Sequence, residues 1–163
     1  MIPLLVSYDN NPKVFEEKGV SVTLPPATAD WARLYAERFD INKDLALHIM
    51  FAADYVGLPR EIAFKLVQTE SSFRPYAVSN KGAIGLTQVL PSTASIYGAS
   101  RNDLFAVDKN LNIGFAYLVG LYEQFGNWRT ALTAYNAGPT RIGRMVSTGR
   151  TIPTGYAQKV LGD

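Results

Sequence analysis

One carboxylate stands out by its place in the pattern. Residues 59–89 read PREIAFKLVQTESSFRPYAVSNKGAIGLTQV. Pro59 suits the start of a helix, where its missing N–H has no partner to lose. Ile62, Ala63, Leu66 and Val67 then recur at helical spacing and form one apolar stripe. Glu70 falls on that stripe, four positions after Leu66 and three after Val67. A carboxylate there is costly unless it is neutral, paired or put to use. Desolvation by apolar neighbours favours the protonated form, which is what a general acid needs near neutral pH. The structural alternative is a solvated side chain or a salt-bridge partner at a helix end.

Other polar groups lie close in sequence. Gly82-Ala-Ile-Gly85-Leu-Thr-Gln88 is a glycine-bearing loop a dozen residues after Glu70. Its glycines permit tight turns and close backbone approach. It lacks the GxxxxGK[ST] pattern and follows no strand, so it is no phosphate loop. Ser79 and Gln88 reach toward the same region or serve as turn chemistry. Tyr135 lies on the apolar face of a later helix, where a buried phenol wants a hydrogen-bond partner, and a protonated Glu70 would supply one.

Several chemistries are excluded. The 163 residues include no Cys and a single His, His48, which removes a thiol nucleophile, a disulfide framework and an ordinary zinc site. His48 sits in a helical run, far from any nucleophile signature, and reads as structural. No metal and no cofactor is implied. The net charge of +2 is too small to indicate a nucleic-acid partner. It is unevenly spread, however: residues 124–163 hold Arg129, Arg141, Arg144, Arg150 and Lys159 against Asp163 alone. That basic quarter fits an anionic polymer or a solvated face equally well.

The elements that must position these groups are helices. Residues 1–26 read as an extended arm punctuated by Pro3, Pro12, Pro25 and Pro26, with strand-like alternation over 19–24. The arm packs on its own domain or docks on a protein partner. Residues 27–163 form the domain, with helices expected over 27–39, 43–56, 59–70, 91–97, 110–125, 128–137, 140–146 and 153–161. Hydrophobic residues make up 47% of the chain and charged ones 18%, ordinary for one folded domain of this length. No apolar run approaches the roughly 18–20 residues that span a bilayer. The first residues lack a basic stretch and meet Asp9 too early for a signal peptide.

Taken together, four blocks resemble the soluble lytic transglycosylase family, the lysozyme-like catalytic domain of family 23 glycoside hydrolases. They are Glu70-Ser-Ser-Phe-Arg-Pro-Tyr-Ala-Val-Ser79; Gly82 to Gln88 with Pro91, Thr93 and Ala94; Asn112-Ile-Gly114 with Tyr117 and Leu118; and Ala134-Tyr-Asn-Ala-Gly-Pro139. The resemblance covers about residues 45–161. It implies a compact all-α, lysozyme-like fold and cleavage of the β-1,4 bond between N-acetylmuramic acid and N-acetylglucosamine in peptidoglycan. Glu70 matches the acid/base. Ser79, Gln88, Tyr117, Tyr135 and Asn136 match residues lining the saccharide cleft, with Tyr135 bonded to the catalytic carboxyl. One departure stands out: many relatives carry a Glu shortly before the C-terminal Tyr segment, where this chain has Thr151-Ile-Pro-Thr-Gly155.

Ordinary glycosidases flank the bond with two carboxylates. After Glu70 only Asp103, Asp108, Glu123 and Asp163 remain, none an obvious partner. A single acid suits a route in which the substrate supplies the nucleophile, giving a 1,6-anhydro product. The alternatives are a goose-type muramidase that hydrolyses the bond, and a non-catalytic wall-binding or virion component. The expected place of action is the peptidoglycan layer, reached in a phage particle or in the periplasm.

Overall fold

The computed structural model describes residues 15–17, 20–22 and 26–162. The rest of the arm expected over 1–26, including Gly19, Thr23 and Leu24 of the expected strand, lies outside the described residues, as does Asp163. Within that arm, β1 (Phe15–Glu17) and β2 (Val20–Val22) pair antiparallel, with Phe15 opposite Val22 and Glu17 opposite Val20.

The remainder is helical, as expected: α1 (Pro26–Phe39), α2 (Lys43–Val56), α3 (Arg60–Ser71), α4 (Pro91–Ile96), a 3-10 turn (Asn102–Phe105), α5 (Val107–Phe125), α6 (Trp128–Ala137), α7 (Pro139–Ser147) and α8 (Gly155–Leu161). Local chemistry sets the boundaries. Asn42 and Asn127 cap α2 and α6, their side-chain oxygens accepting from Leu45 N at 2.7 Å and Thr130 N at 2.8 Å. Gly57 and Gly126 end α2 and α5 in the left-handed conformation that glycine adopts without penalty. Pro59 caps α3 and does not open its first turn. The longest helix starts at Val107, three residues before the expected Asn110, because the extended Ala106 that follows the 3-10 turn already serves as its cap.

α3 is the central element. Ile62, Ala63, Leu66 and Val67 are buried, as their spacing requires, and so is Phe64 on another side of the helix. Phe64 stacks on Tyr35 and Phe39 of α1, with ring centroids 4.3 and 5.2 Å apart. α2 and α8 pack on the same helix, and α5 and α6 complete the main core with Phe115, Leu118 and Leu132. A smaller cluster of Ile84, Val89, Ala94, Leu104 and Ile113 sits under the 71–106 segment. α3 thus approaches its C-terminus with restraints on several sides, which fixes where residue 70 can go.

Candidate active site

Glu70 occupies the last turn of α3 and is partly buried. The chain then breaks sharply: Ser72 and Phe73 both take left-handed angles, φ 50° and 59°. For residues with a Cβ this costs about 1 kcal/mol each. Packing offsets it, since Phe73 meets Phe39 edge-on at 5.7 Å. The buried Ser71 hydroxyl turns back to Val67 O at 3.1 Å and so needs no outside partner.

The electrostatics of the site follow from that placement. Burial raises the pKa of Glu70 above the usual carboxylate value, and the partial negative charge of a helix C-terminus acts in the same direction. The hydrogen bond from Tyr156 and the charge of Lys159 pull the other way without overcoming it. α8 supplies both groups, because Ala157 and Val160 are buried and hold that helix against α3 and α6. The Tyr156 hydroxyl donates to Glu70 Oε1. Burial, with the Glu70 charge as second cause, pushes the Tyr156 phenol well above its ordinary pKa, so it stays a donor.

This corrects the expectation for Tyr135. Its hydroxyl donates to the Thr87 carbonyl at 2.7 Å and makes no hydrogen bond to Glu70. The unpaired carbonyl of the 82–88 loop takes the donor, and α8 brings a second phenol to the acid. Tyr135 still lies close enough for the Glu70 charge to oppose its ionisation, after burial itself. Tyr117 packs against Tyr135 with ring centroids 5.4 Å apart; after burial, Tyr97 adds to the raised pKa of Tyr135, and Tyr117 to that of Tyr97.

The glycine loop is clamped at Thr87. Asn110, fully buried in α5, uses its whole side chain. Its Oδ1 accepts from Thr87 N (2.9 Å) and Thr87 Oγ1 (2.8 Å). Its Nδ2 donates to Ile84 O (2.8 Å) and Leu104 O (3.0 Å). Two glycines make room. A Cβ on Gly85, whose φ is +81°, would lie 2.2 Å from Asn110 Nδ2, and one on Gly114 would lie 2.3 Å from Thr87 Oγ1. Thr87 is therefore held from α5 by Asn110 and from α6 by Tyr135. Neither Asn110 nor Thr87 was singled out from the sequence. The available signal was an Asn four residues before Gly114, on the face of α5 where a missing side chain admits a close neighbour.

The other candidates divide. Gln88, at φ 50°, donates to Ala77 O (3.1 Å) and Gly85 O (3.0 Å), so its amide braces the loop beside Thr87. Ser79 Oγ accepts from Ala83 N at 3.0 Å and closes the turn before Gly82. Asn136 is exposed in the last turn of α6. Among the described residues no hydrogen bond joins Ser79 or Asn136 to Glu70. His48 pairs with Asp108 at the start of α5, 2.5 Å apart. An open pocket of about 470 Å³ lies between the α1–α2 turn and the end of α3, near Phe39 and Phe73, and Glu70 is not among its lining residues.

A lysozyme-like helical domain with one desolvated carboxylate at the end of its central helix is the class these features define. The family described as "Transglycosylase SLT domain" matches residues 48–154, and the chain belongs to that family. It is 36% identical to the soluble lytic murein transglycosylase of Escherichia coli K12 over 114 residues, 63% of this chain and 18% of that protein. It is 33% identical to membrane-bound lytic murein transglycosylase C of Histophilus somni over 150 residues, 82% of this chain and 40% of that protein. Among solved structures, the 70 kDa soluble lytic transglycosylase SLT70 of E. coli superposes with a TM-score of 0.62 at 32% identity, over 78% of this chain and 24% of that one. An inactive Glu-to-Gln variant of Slt from Pseudomonas aeruginosa superposes at 0.58 with 26% identity, over 82% and 26%. The chain thus spans well under half the length of these relatives.

Proposed function

We propose that this chain is a peptidoglycan lytic transglycosylase that cleaves the β-1,4 bond from N-acetylmuramic acid to N-acetylglucosamine, with Glu70 as its single acid/base. Protonated Glu70 donates to the glycosidic oxygen. The substrate's N-acetyl oxygen stabilises the anomeric carbon as the bond breaks. Glu70, now a carboxylate, takes the proton of the muramic C6 hydroxyl, whose oxygen closes onto C1. A 1,6-anhydro product results and no water is consumed. Ser79, Gln88, Tyr117, Tyr135 and Asn136 are proposed to line the saccharide cleft.

The observation that carries this reading is that Glu70 is a desolvated carboxyl with a raised pKa and, among the described residues, no other carboxylate acting on its titration. The groups that shift its titration are Tyr156 and Lys159. Other acids are engaged elsewhere: Asp54 with Arg60, Glu61 with Arg38, Asp103 with Lys109, Asp108 with His48. A two-carboxylate mechanism needs a second acid across the bond. The relatives' names, lytic murein transglycosylases, point the same way.

In this reading residues 27–163 are the catalytic unit and 1–26 an arm available to a protein partner. The enzyme works at the peptidoglycan layer, whether delivered in the periplasm or by a virion. No helix among the described residues is long and apolar enough to cross a membrane. Mass spectrometry of the muropeptides released from purified sacculi tests the chemistry. Transglycosylation gives products lighter by one water than those of a muramidase, and hydrated products would overturn the anhydro route. Glu70→Gln should keep the fold and abolish release; an active purified variant would remove Glu70 from its role.

A further inference from the structure

The cations of this domain are distributed in two ways. Between residues 28 and 128 every arginine has a partner. Arg33, Arg38 and Arg60 pair with Glu37, Glu61 and Asp54. Arg74 donates to Ser71 O, and Arg101 lies over the Phe105 ring. From Gln124 to Gly162 the chain contains no Asp or Glu at all. Arg141, Arg144 and Arg150 in that stretch are exposed, and none has an ion pair, side-chain hydrogen bond or ring contact among the described residues. Arg141 and Arg144 are three apart on α7, on one face of the helix, while Ile142 turns into the core. Arg150 follows just after that helix, its N–H bonded to Met145 O at 2.9 Å, which folds the chain back toward α7.

This surface follows the site closely in the chain. α6 ends at Ala137, and α7 starts at Pro139 after the single turn residue Gly138, φ 90°. Arg141 comes six residues after Tyr135, so their Cα atoms are at most about 21 Å apart even on a fully extended chain. Peptide substituents on a polymer held at Glu70 bridge such a distance at about 3.3–3.6 Å per extended residue. Planar guanidinium forks match carboxylates in two-point contacts. In peptidoglycan the carboxylates sit on the peptide stems that branch from each muramic residue.

We propose that Arg141, Arg144 and Arg150 form a docking surface for the peptide-stem carboxylates of the glycan strand held at Glu70; this rests on the reading of the chain as a peptidoglycan enzyme. The surface holds the polymer and takes no part in bond cleavage.

The test measures binding separately from turnover. Glu70→Gln protein is bound to intact sacculi and to sacculi whose stem carboxylates have been converted to neutral methylamides, over a series of salt concentrations. The same measurement is made with Arg141→Gln, Arg144→Gln and Arg150→Gln added together. Three exposed charge pairs of ordinary strength amount to about a tenfold loss of affinity for intact sacculi at low salt. The loss should shrink as salt rises and be absent on the methylamide-capped sacculi. Equal binding of the two proteins to intact sacculi would overturn the proposal. Equal loss on both materials would also overturn it, by assigning the surface to a different anion. Circular dichroism confirms that the triple variant is folded, and Arg144→Gln alone provides a milder second variant with a smaller loss in the same direction. Failure of the catalytic reading is seen separately, as wild-type protein that releases no anhydro product from intact sacculi.

Discussion

The Tyr156 hydroxyl donates to Glu70 Oε1, joining α8 to the end of α3 across 86 positions of the chain. This bond favours the charged carboxylate and so lowers the Glu70 pKa, against the larger effect of burial. Tyr156 thereby limits how far the acid is raised, and it holds the carboxyl in one orientation. Tyr156→Phe removes the donor and leaves the ring. Without it the Glu70 pKa rises further. Because Glu70 must be protonated to donate, activity falls as pH passes upward through that pKa, so the alkaline limb of the kcat/KM profile should move to higher pH. Losing a hydrogen bond to a charged group costs about 1.5–3 kcal/mol, or roughly 10–100-fold in rate where the bond orients the acid. Muropeptide release measured from pH 4 to 9 checks both effects. An unshifted limb would mean that the bond does not act on the proton.

The raised pKa also makes a stability prediction. The native chain holds the Glu70 proton more tightly than the unfolded chain does. Stability therefore declines as pH rises from the ordinary Glu value, about 4.3, through the raised native value, and the decline is complete above it. Gln at this position stays neutral and still presents an oxygen to Tyr156. Glu70→Gln should accordingly raise Tm by a few degrees at neutral pH, with the gain vanishing in acid below the ordinary Glu range. Thermal melts of the two proteins across that window test it. A gain independent of pH, or a loss at neutral pH, would contradict the burial of this carboxyl.

Two glycines of α5 offer a matched comparison of packing. A Cβ at Gly114 would lie 2.3 Å from Thr87 Oγ1 and 2.5 Å from its Cβ, whereas Gly120 has nothing within 4 Å. Alanine inside a helix is worth up to about 1 kcal/mol over glycine. Gly120→Ala should gain roughly that amount. Gly114→Ala forfeits the gain to overpacking of about 1–3 kcal/mol, and the strain is borne by the loop that lies beside the acid. Urea unfolding should separate the two variants by 1 kcal/mol or more, with activity reduced only in Gly114→Ala.

How far the sequence revealed this arrangement depends on whether a residue's partner is near in the chain. The stripe of Ile62, Ala63, Leu66 and Val67 is a local pattern, and it located α3 and put Glu70 at the inner end. Gly57, Gly126 and the Gly138-Pro139 pair are local signals too, and each falls at a helix end. Phe64 was missed as a core residue because its partners, Tyr35 and Phe39, come from α1. The Tyr156–Glu70 bond and the Thr87–Asn110 clamp span 86 and 23 positions. They depend on how α8 and α5 pack, which helical periodicity does not encode. A phenol was expected beside the acid, but its assignment to Tyr135 fails because a second phenol and a competing carbonyl acceptor lie within reach.

That exchange of partners makes Tyr135→Phe the counterpart of Tyr156→Phe. The Tyr135 hydroxyl holds Thr87 O at 2.7 Å and so fixes the 82–88 loop, while the carboxyl takes its hydrogen bond from α8. Removing it leaves a buried carbonyl without this donor, a cost of about 1–3 kcal/mol, and loosens the loop that carries Gln88. The Asn110 clamp remains, so the fold should survive with a lower Tm. If the loop helps form the saccharide cleft, the penalty falls on substrate binding: KM should rise by roughly 10-fold, the loss expected when about 1.4 kcal/mol of uniform binding is removed. The alkaline limb of the pH profile should stay in place, because the direct hydrogen bond to Glu70 is intact. A shifted limb in Tyr135→Phe together with an unshifted one in Tyr156→Phe would return the acid's partner to α6 and reverse the assignment made from the structure.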